Sequence, residues 1–248
     1  MQRYFIDLSF RGTAYHGWQL QPNAPSVQGE VEKALKILLK DEIKTTGAGR
    51  TDTGVHAWKY IAHFDTGHEL PANQGDFIYK MNALLPSDIS VKSVFPVSAN
   101  AHARYSAISR TYKYTLSTVK DPFYPDYAWY YPFKPDIRLL NRGAARIPEF
   151  DDFKSFAKLH SDVKNHICKV YSAEWIAAGD KIIFTIKANR FLRNMVRAIV
   201  GTLLEIGRGK MAVDDLQRII EGRDRSLAGF SVPAQGLMLF DIEYPDNL

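Results

Sequence analysis

The sequence contains one cysteine, Cys168, among 248 residues. A single thiol cannot build an internal disulfide framework, so we expect a protein of a reducing compartment such as the cytoplasm. No apolar run approaches the roughly 18 residues that a membrane helix needs. The first ten residues, MQRYFIDLSF, alternate apolar and polar side chains, which is typical of a strand and not of a signal peptide or anchor. These absences predict a soluble, cytoplasmic protein with no membrane partner.

Phosphate-binding glycine motifs are also missing, although residues 47–57 read GAGRTDTGVHA. A dinucleotide-binding fingerprint needs glycine where Asp52 stands, and a P-loop needs Gly-Lys followed by Ser or Thr. The tripeptide Asp52-Thr53-Gly54 matches aspartic proteases, in which two such carboxylates share a proton. The chain has no second copy of this tripeptide, and its helical stripes disagree with a nearly all-β protease. A homodimeric aspartic protease stays an alternative at this stage.

Metal ligands are sparse as well. The nearest grouping among the seven histidines and the cysteine is His160, His166 and Cys168, which lacks a fourth ligand at a useful spacing. We therefore expect no metal site and place this group on a surface segment. Asp52 is the best candidate for chemistry, with a turn-capping aspartate as the structural alternative.

The charge balance points to an anionic partner. The formal net charge is +5, from 32 basic and 27 acidic residues, and the 46% hydrophobic content is ordinary for a globular protein. Cations alternate with aromatic residues in two clusters, a pattern suited to a polyanion that carries flat bases. Alternatively, these long side chains cover the core with their stems. The clusters comprise Arg104, Tyr105, Arg110, Tyr112, Lys113 and Tyr114, and then Arg190, Phe191, Arg193 and Arg197.

Hydrophobic periodicity predicts an α+β protein in two halves. We expect residues 1–120 to form the first half, an ordered aromatic connector at 121–136, and a second half at 137–248. Alternation predicts strands near 4–10, 56–65, 89–97, 105–118, 169–176, 181–188 and 237–244. Helical spacing predicts helices near 26–40, 74–84, 150–159, 192–206 and 213–221.

The predicted helix from Leu192 carries Arg193 and Arg197 four residues apart, beside a broad apolar surface. Like charges at this spacing cost a few tenths of a kcal/mol unless an anion lies near them. A phosphate or a carboxylate such as Asp52 would serve, and a solvated helix face is the alternative.

Four motifs together resemble the TruA family of tRNA pseudouridine synthases. They are YHGWQLQP at 15–22, GAGRTDTGVHA at 47–57, RTYKY at 110–114 and NRFLRNMVRAIVG at 189–201. The similarity extends from Arg3 to Tyr244, and the order of several long motifs is more specific than any one of them. The family's usual alanine after the aspartate is Thr53 here, a change between small residues.

The resemblance implies a fold and a reaction. The fold is the pseudouridine synthase fold, with two similar halves of mainly antiparallel sheet, covering helices and an active-site cleft between the halves. The reaction is the isomerisation of uridine to pseudouridine at positions 38 to 40 of the tRNA anticodon stem-loop. It requires neither cofactor nor metal, and the protein is expected to be a homodimer. A tRNA-binding or RNA-binding protein of this fold that has lost catalysis is the alternative.

The resemblance also assigns roles to single residues. Asp52 corresponds to the catalytic aspartate, which acts on the ribose as nucleophile or base, and Arg197 to the arginine that pairs with it. Arg50 corresponds to a residue that holds the target nucleotide out of the RNA helix. Tyr112 corresponds to the base-stacking tyrosine, and Leu237 would pack the other side of the base.

Two further arginines complete the expected site. Arg110 opens the RTYKY motif and Arg193 lies in NRFLRNMVRAIVG, and we expect both to bind the substrate. The glycines around Asp52 are expected to let the backbone approach the RNA closely.

Overall fold

The computed structural model describes residues 1–71, 74–123, 126–159, 163–246 and 248. The chain forms two compact units. The first unit comprises Met1–Ile108 and Leu239–Leu248, and the second comprises Ser109–Met238. Both units combine sheet and helices, and most strand pairs are antiparallel, which confirms the predicted α+β class.

A sheet built around strand β1 forms the centre of the first unit. Strand β1 (Gln2–Phe10) pairs antiparallel with β3 (His56–Thr66) on one side and with β4 (Ile89–Val97) on the other. The short β2 (Thr45–Gly47) also pairs with β3. The C-terminal strand β9 (Leu237–Glu243) lies next to β3, and its residues from Leu239 onwards belong to this unit.

Among its described residues, the first unit also contains the α-helices α1 (Val27–Leu39) and α2 (Gly75–Leu84). Ser26 caps α1, because its Oγ accepts a hydrogen bond from the Gly29 amide at 3.2 Å. The predicted apolar stripe of α1 is buried, including Val31 and Leu35, which are fully inaccessible. Burying one such side chain stabilises the fold by roughly 1.5–3 kcal/mol.

The second unit is centred on β8 (Lys181–Ala188). This strand pairs antiparallel with β5 (Ser109–Ser117) and with β7 (Val170–Ala178), and the short β6 (Trp129–Tyr130) runs parallel to the end of β5. The side chains of β8 alternate strictly, with Ile182, Phe184, Ile186 and Ala188 buried.

In the described part of the second unit, the α-helices are α3 (Ile137–Arg146), α4 (Met195–Gly207) and α5 (Asp215–Gly222). Helix α4 is almost entirely buried, and α3 packs closely on it, because a Cβ on Gly143 would lie 2.8 Å from Leu203. Among the described residues, no helix of either unit is long and apolar enough to cross a membrane.

Most predicted elements are present, but the helix predicted at 150–159 is wrong. The structure has short 3-10 turns at Ile147–Glu149 and Lys154–Phe156, and the α-helix lies earlier, as α3. The Asp152 carboxylate accepts a hydrogen bond from the Lys154 amide at 3.0 Å, a local turn that competes with helix formation. The helix itself begins after Asp136, whose Oδ1 accepts from the Arg138 amide at 2.7 Å.

The boundary between the units also differs from the expected one. It falls after Ile108 because β5 pairs with β8 from Arg110 to Ser117, and the chain returns to the first unit at Leu239. The predicted connector at 121–136 belongs to the second unit, where the Tyr131 amide donates to the Ser117 carbonyl at 2.8 Å. Tyr124 and Pro125 of this connector lie outside the described residues.

Candidate functional site

In the first unit, Asp52 lies in the loop that joins β2 to β3. The Asp52 carbonyl accepts a hydrogen bond from the Val55 amide at 3.2 Å, and Gly54 adopts a positive φ of 79° between them. Asp52 is half-buried and Arg50 is exposed. The loop is therefore a tight turn that holds one carboxylate, and its positive φ explains the glycine at position 54.

The YHGWQLQP segment holds this loop in place. Gly17 has a φ of 90°, and a Cβ on it would lie 2.1 Å from the Thr51 carbonyl oxygen. The next amide, that of Trp18, donates to the Thr51 Oγ1 at 2.9 Å. Two motifs that are far apart in the sequence thus touch through their backbones, which requires glycine at position 17.

The start of β3 is fixed in a similar way. The Gly12 amide donates to Nδ1 of the buried His56 at 3.1 Å, and a Cβ on Gly12 would lie 2.1 Å from the Val55 carbonyl oxygen. The Gly54 amide donates to the Tyr15 carbonyl at 3.3 Å. Asp52 is therefore both preceded and followed by a residue that is hydrogen-bonded to the opening segment, Thr51 through its Oγ1 and Gly54 through its amide.

In the second unit, Tyr112 stands on the face of β5 that it shares with Arg110 and Tyr114. Its ring meets the Phe191 ring edge-on, with centroids 5.1 Å apart and planes at 86°. The Arg110 Nη1 donates to the Asn189 carbonyl at 2.8 Å, which ties the start of β5 to the NRFLRNMVRAIVG motif. Tyr112 is half-buried. Its ring is therefore in contact with Phe191 on one side and still partly exposed.

Arg197 lies in the first turn of α4. Its Nε donates to the Val232 carbonyl at 2.7 Å, which orients the guanidinium plane. Burial raises the pKa of Tyr114 far above its usual value, and the positive charge of Arg197 opposes that shift, so the two groups interact electrostatically. The side chain of Arg197 is half-buried.

Arg193 does not lie on the helix, contrary to the prediction from its spacing. Asn194 adopts a left-handed φ of 69° and the helix begins at Met195, so Arg193 and Arg197 are not one turn apart on a single face. The Asn194 Nδ2 donates to the Ser231 Oγ at 2.7 Å, which fixes this helix start. Arg193 is exposed, and its carbonyl accepts from the Lys158 amide at 2.9 Å.

Leu237 is buried at the start of β9, with 6% of its surface exposed. The residues before it are held by Tyr114, whose hydroxyl donates to the Pro233 carbonyl at 2.8 Å. A Cβ on Gly236 would lie 2.7 Å from the Tyr114 ring, so glycine is required there. Tyr114 thus interacts with Arg197 and with the segment leading to Leu237, a positioning role that the RTYKY motif alone does not reveal.

The expectation of a surface segment around Cys168 is wrong for the cysteine itself. Cys168 is fully buried, its amide donates to the Asp151 carbonyl at 2.9 Å, and burial raises the pKa of its thiol to about 11. His160 lies outside the described residues. In the described part of the chain, no group of three or more His, Cys, Asp or Glu residues could hold a metal ion.

Comparisons with known proteins identify the family of the chain. A family model described as tRNA pseudouridine synthase matches residues 150–245. The chain is 50% identical over 249 residues to tRNA pseudouridine synthase A of Bacteroides fragilis, covering all of this chain and 98% of that protein. The protein of the same name from Parabacteroides distasonis is 48% identical over 251 residues, with the same coverage. That from Caldicellulosiruptor bescii is 39% identical over 246 residues, covering 98% of this chain and all of the relative. The chain therefore belongs to the family of tRNA pseudouridine synthase A, the TruA family.

Proposed function

We propose that this protein isomerises uridine to pseudouridine in tRNA, at positions 38 to 40 of the anticodon stem-loop. The single observation that carries the proposal is full-length identity of 48–50% to proteins named tRNA pseudouridine synthase A. The structure adds that the loop is hydrogen-bonded to the opening segment on both sides of Asp52, through the Thr51 Oγ1 before it and the Gly54 amide after it. Such fixation is what a catalytic carboxylate needs, since small displacements of a reacting group are costly.

The proposed reaction exchanges one bond for another within the same nucleotide. Asp52 acts on the ribose, the bond between C1′ and N1 of uracil breaks, and the detached base turns to offer C5. A bond then forms between C5 and C1′, C5 loses its proton, and N1, which carries no proton in uridine, gains one. Atoms and electrons balance without an oxidant or reductant, so the proposal includes no cofactor.

We propose that the arginines and the tyrosine support Asp52. Arg197 pairs with the ionised Asp52 carboxylate in the working enzyme, and its fixed guanidinium plane suits a carboxylate partner. Tyr112 stacks on the detached base, and Leu237 packs on the base from the other side. Both are set by neighbours, Tyr112 by Phe191 and the segment before Leu237 by Tyr114.

The remaining arginines are proposed to bind RNA. Arg50 is exposed beside Asp52 and is suited to holding an extruded nucleotide. Arg193 is exposed ahead of α4 and could contact a phosphate. Arg110 already donates to the Asn189 carbonyl, so we propose that it also orients the site through that bond.

The proposal extends to assembly and location. We propose a homodimer that works in the cytoplasm, on the basis of the family resemblance and of the single buried cysteine. Sedimentation at micromolar concentration should give twice the mass of the chain, and a monomer alone would contradict the dimer.

The direct test of the function uses unmodified tRNA labelled with tritium at C5 of uridine. The purified protein should release tritium in the presence of a chelator and with no added cofactor. Binding of tRNA without any release would instead indicate an inactive RNA-binding member of the family.

A further inference from the structure

An aromatic stack lies beneath the loop that carries Asp52. Trp18 and Tyr60 stack with centroids 4.3 Å apart and planes at 29°, and Phe10 meets the Tyr60 ring at 5.5 Å. Tyr60 is inaccessible, Trp18 is 3% exposed and Phe10 is 4% exposed. Stacked, buried rings of this kind have few rotamer alternatives, so they form a rigid support.

The Tyr60 hydroxyl bonds the loop backbone in two ways. It donates to the Gly49 carbonyl oxygen, and it accepts from the Gly49 amide at 3.4 Å. The neighbouring Gly47 is equally close, because a Cβ on it would lie 2.2 Å from the Tyr60 hydroxyl oxygen and 2.4 Å from the Trp18 Nε1. The first half of the loop therefore rests directly on the two rings.

A second bond to the loop comes from the main chain at Trp18, whose backbone amide donates to the Thr51 Oγ1 at 2.9 Å. Gly49 and Thr51 flank Arg50, and Thr51 immediately precedes Asp52. Residues 48–55 lie between two strands, and Gly49 has more backbone freedom than any other residue type would have. A hydrogen bond from a rigid ring removes that freedom at the position where the chain turns toward Asp52.

We propose that Tyr60 and Trp18 are positioning residues for the reaction, which clamp Gly49 and Thr51 and thereby set Arg50 and Asp52. This inference rests on the proposed function, in which Asp52 acts on the ribose. Neither ring needs to touch the substrate. Their contribution is to turnover, because misplacement of a reacting group by about 1 Å can lower the rate about 100-fold.

A purely structural role would give a different result. In that case the Tyr60 hydroxyl only satisfies buried polar groups of the backbone, and its loss lowers stability without changing the rate of the bound complex. Tyr4 offers a matched control in the same unit, being 4% exposed and accepting a hydrogen bond from the Leu70 amide at 3.2 Å. Its ring stacks on Phe64, with centroids 5.7 Å apart.

The experiment compares Tyr60→Phe with Tyr4→Phe in single-turnover and steady-state tritium release. Both variants keep a buried ring and lose one hydroxyl, so both should melt a few degrees below the wild type. We expect kcat to fall about 10- to 100-fold in Tyr60→Phe, with KM for tRNA within about threefold, and kcat to stay within about twofold in Tyr4→Phe. Equal kcat values in the two variants would overturn the inference.

A second pair of variants tests the other bond of the clamp and does not disturb the buried stack. Thr51→Val removes the acceptor of the Trp18 amide at a half-buried loop position, and kcat should fall about tenfold. Thr51→Ser keeps the acceptor and should recover most of that loss. If Thr51→Val and Thr51→Ser turned over at the same rate, the clamp would be refuted even if Tyr60→Phe did not fold.

Failure of the clamp can be told apart from failure of the proposed function. If Asp52→Asn retains turnover, the assignment of Asp52 is wrong and the clamp has nothing to position. If Asp52→Asn is inactive while Tyr60→Phe and Thr51→Val turn over like the wild type, only the clamp is wrong.

Discussion

Arg197 and Val232 are joined by two hydrogen bonds that run in opposite directions. The Arg197 Nε donates to the Val232 carbonyl at 2.7 Å, and the Val232 amide donates to the Arg197 carbonyl at 3.3 Å. This pairing attaches the segment that leads to Leu237 to the first turn of α4. A side chain proposed to act in catalysis is thus oriented by the backbone of a segment that leads to Leu237, which is proposed to pack on the base.

Arg197→Lys should lower turnover while the protein stays folded. Lysine keeps the charge but cannot donate from an Nε fixed at Val232 and lacks the planar fork that suits a carboxylate. We expect kcat to fall at least about tenfold with tRNA affinity within about threefold, measured by tritium release and filter binding. Arg138, whose side chain is 93% exposed, is the control: Arg138→Lys should match the wild type. Wild-type kcat in Arg197→Lys would contradict the proposed pairing with Asp52.

Gly201→Ala should disturb the segment that approaches α4. A Cβ at Gly201 would lie 1.8 Å from the Phe230 carbonyl oxygen, so the 229–232 segment must move. Overpacking of this kind costs about 1–3 kcal/mol in the free energy of unfolding, which calorimetry would detect as a lower Tm, and turnover should fall with it. Gly67 has open space around its Cβ position, so Gly67→Ala is the matched control. Equal Tm values for the two variants would show that the close approach is unimportant.

Two substitutions of Tyr112 should separate the contribution of its ring to activity from that of its hydroxyl. Tyr112→Phe keeps the ring that meets Phe191 edge-on and should retain substantial activity. Tyr112→Ala removes the ring, and loss of base stacking should cost roughly 1–3 kcal/mol, or about 5- to 150-fold in kcat/KM. Circular dichroism would confirm that both variants fold. If the two variants had the same kcat/KM, base stacking would not be the role of Tyr112.

His63 should make the stability of the protein depend on pH below neutrality. Its Nδ1 accepts from the Ala103 amide at 3.1 Å, and burial, followed by the charges of Arg3 and His102, lowers its pKa to about 4 while Asp65 opposes the shift. An unfolded histidine has a pKa of about 6.5, so between these values the unfolded state binds the extra proton. Stability should therefore be fully present above about pH 6.5 and decrease as the pH falls toward 4.

His63→Gln removes the imidazole that binds this proton in the unfolded state, so the pH dependence of stability should weaken. In thermal melts between pH 7.5 and 5, the Tm of His63→Gln should fall less steeply than that of the wild type. At pH 7.5 the Tm of His63→Gln should be the lower of the two, because the hydrogen bond from the Ala103 amide to Nδ1 is lost. The slope is shallower because glutamine does not take up a proton in this pH range, while carboxylates titrate mostly below it and change the slope little. Parallel Tm curves for the two proteins would mean that His63 is not the group responsible.

The sequence predicts the fold best where periodicity and capping agree. Strand β1 and helix α1 were predicted correctly because the apolar alternation from Tyr4 to Phe10 and the Ser26 cap leave few alternatives. Helix α3 escaped prediction because it follows directly on an aromatic and proline-rich stretch, and its apolar face is short. The position of β9 could not be predicted, since pairing with a strand about 180 residues earlier leaves no local signal.

The candidate site residues come from the sequence, whereas the residues that contact and orient them come from the structure. Motif resemblance selected Asp52, Arg197 and Tyr112, and the structure shows how each is held within its own unit. The supports provided by Tyr60 and Tyr114 arise from contacts between residues that are distant in sequence or on neighbouring segments. The spacing of Arg193 and Arg197 predicted that both lie on one helix, which is wrong because Asn194, with its left-handed φ, separates Arg193 from the helix.

The central claim is that Asp52 carries out the chemistry, and Asp52→Asn tests it most directly. Asparagine preserves the shape and turn-forming capacity of aspartate but cannot attack the ribose or take a proton. The measurement is tritium release from C5-labelled tRNA by purified Asp52→Asn, with Tm and tRNA binding recorded at fixed salt. We predict release below detection, a Tm within a few degrees of the wild type and affinity within about tenfold, since phosphate contacts supply most of the binding. Tritium release at the wild-type rate would contradict the account, as would a loss of folding and binding together, which would make Asp52 a structural residue.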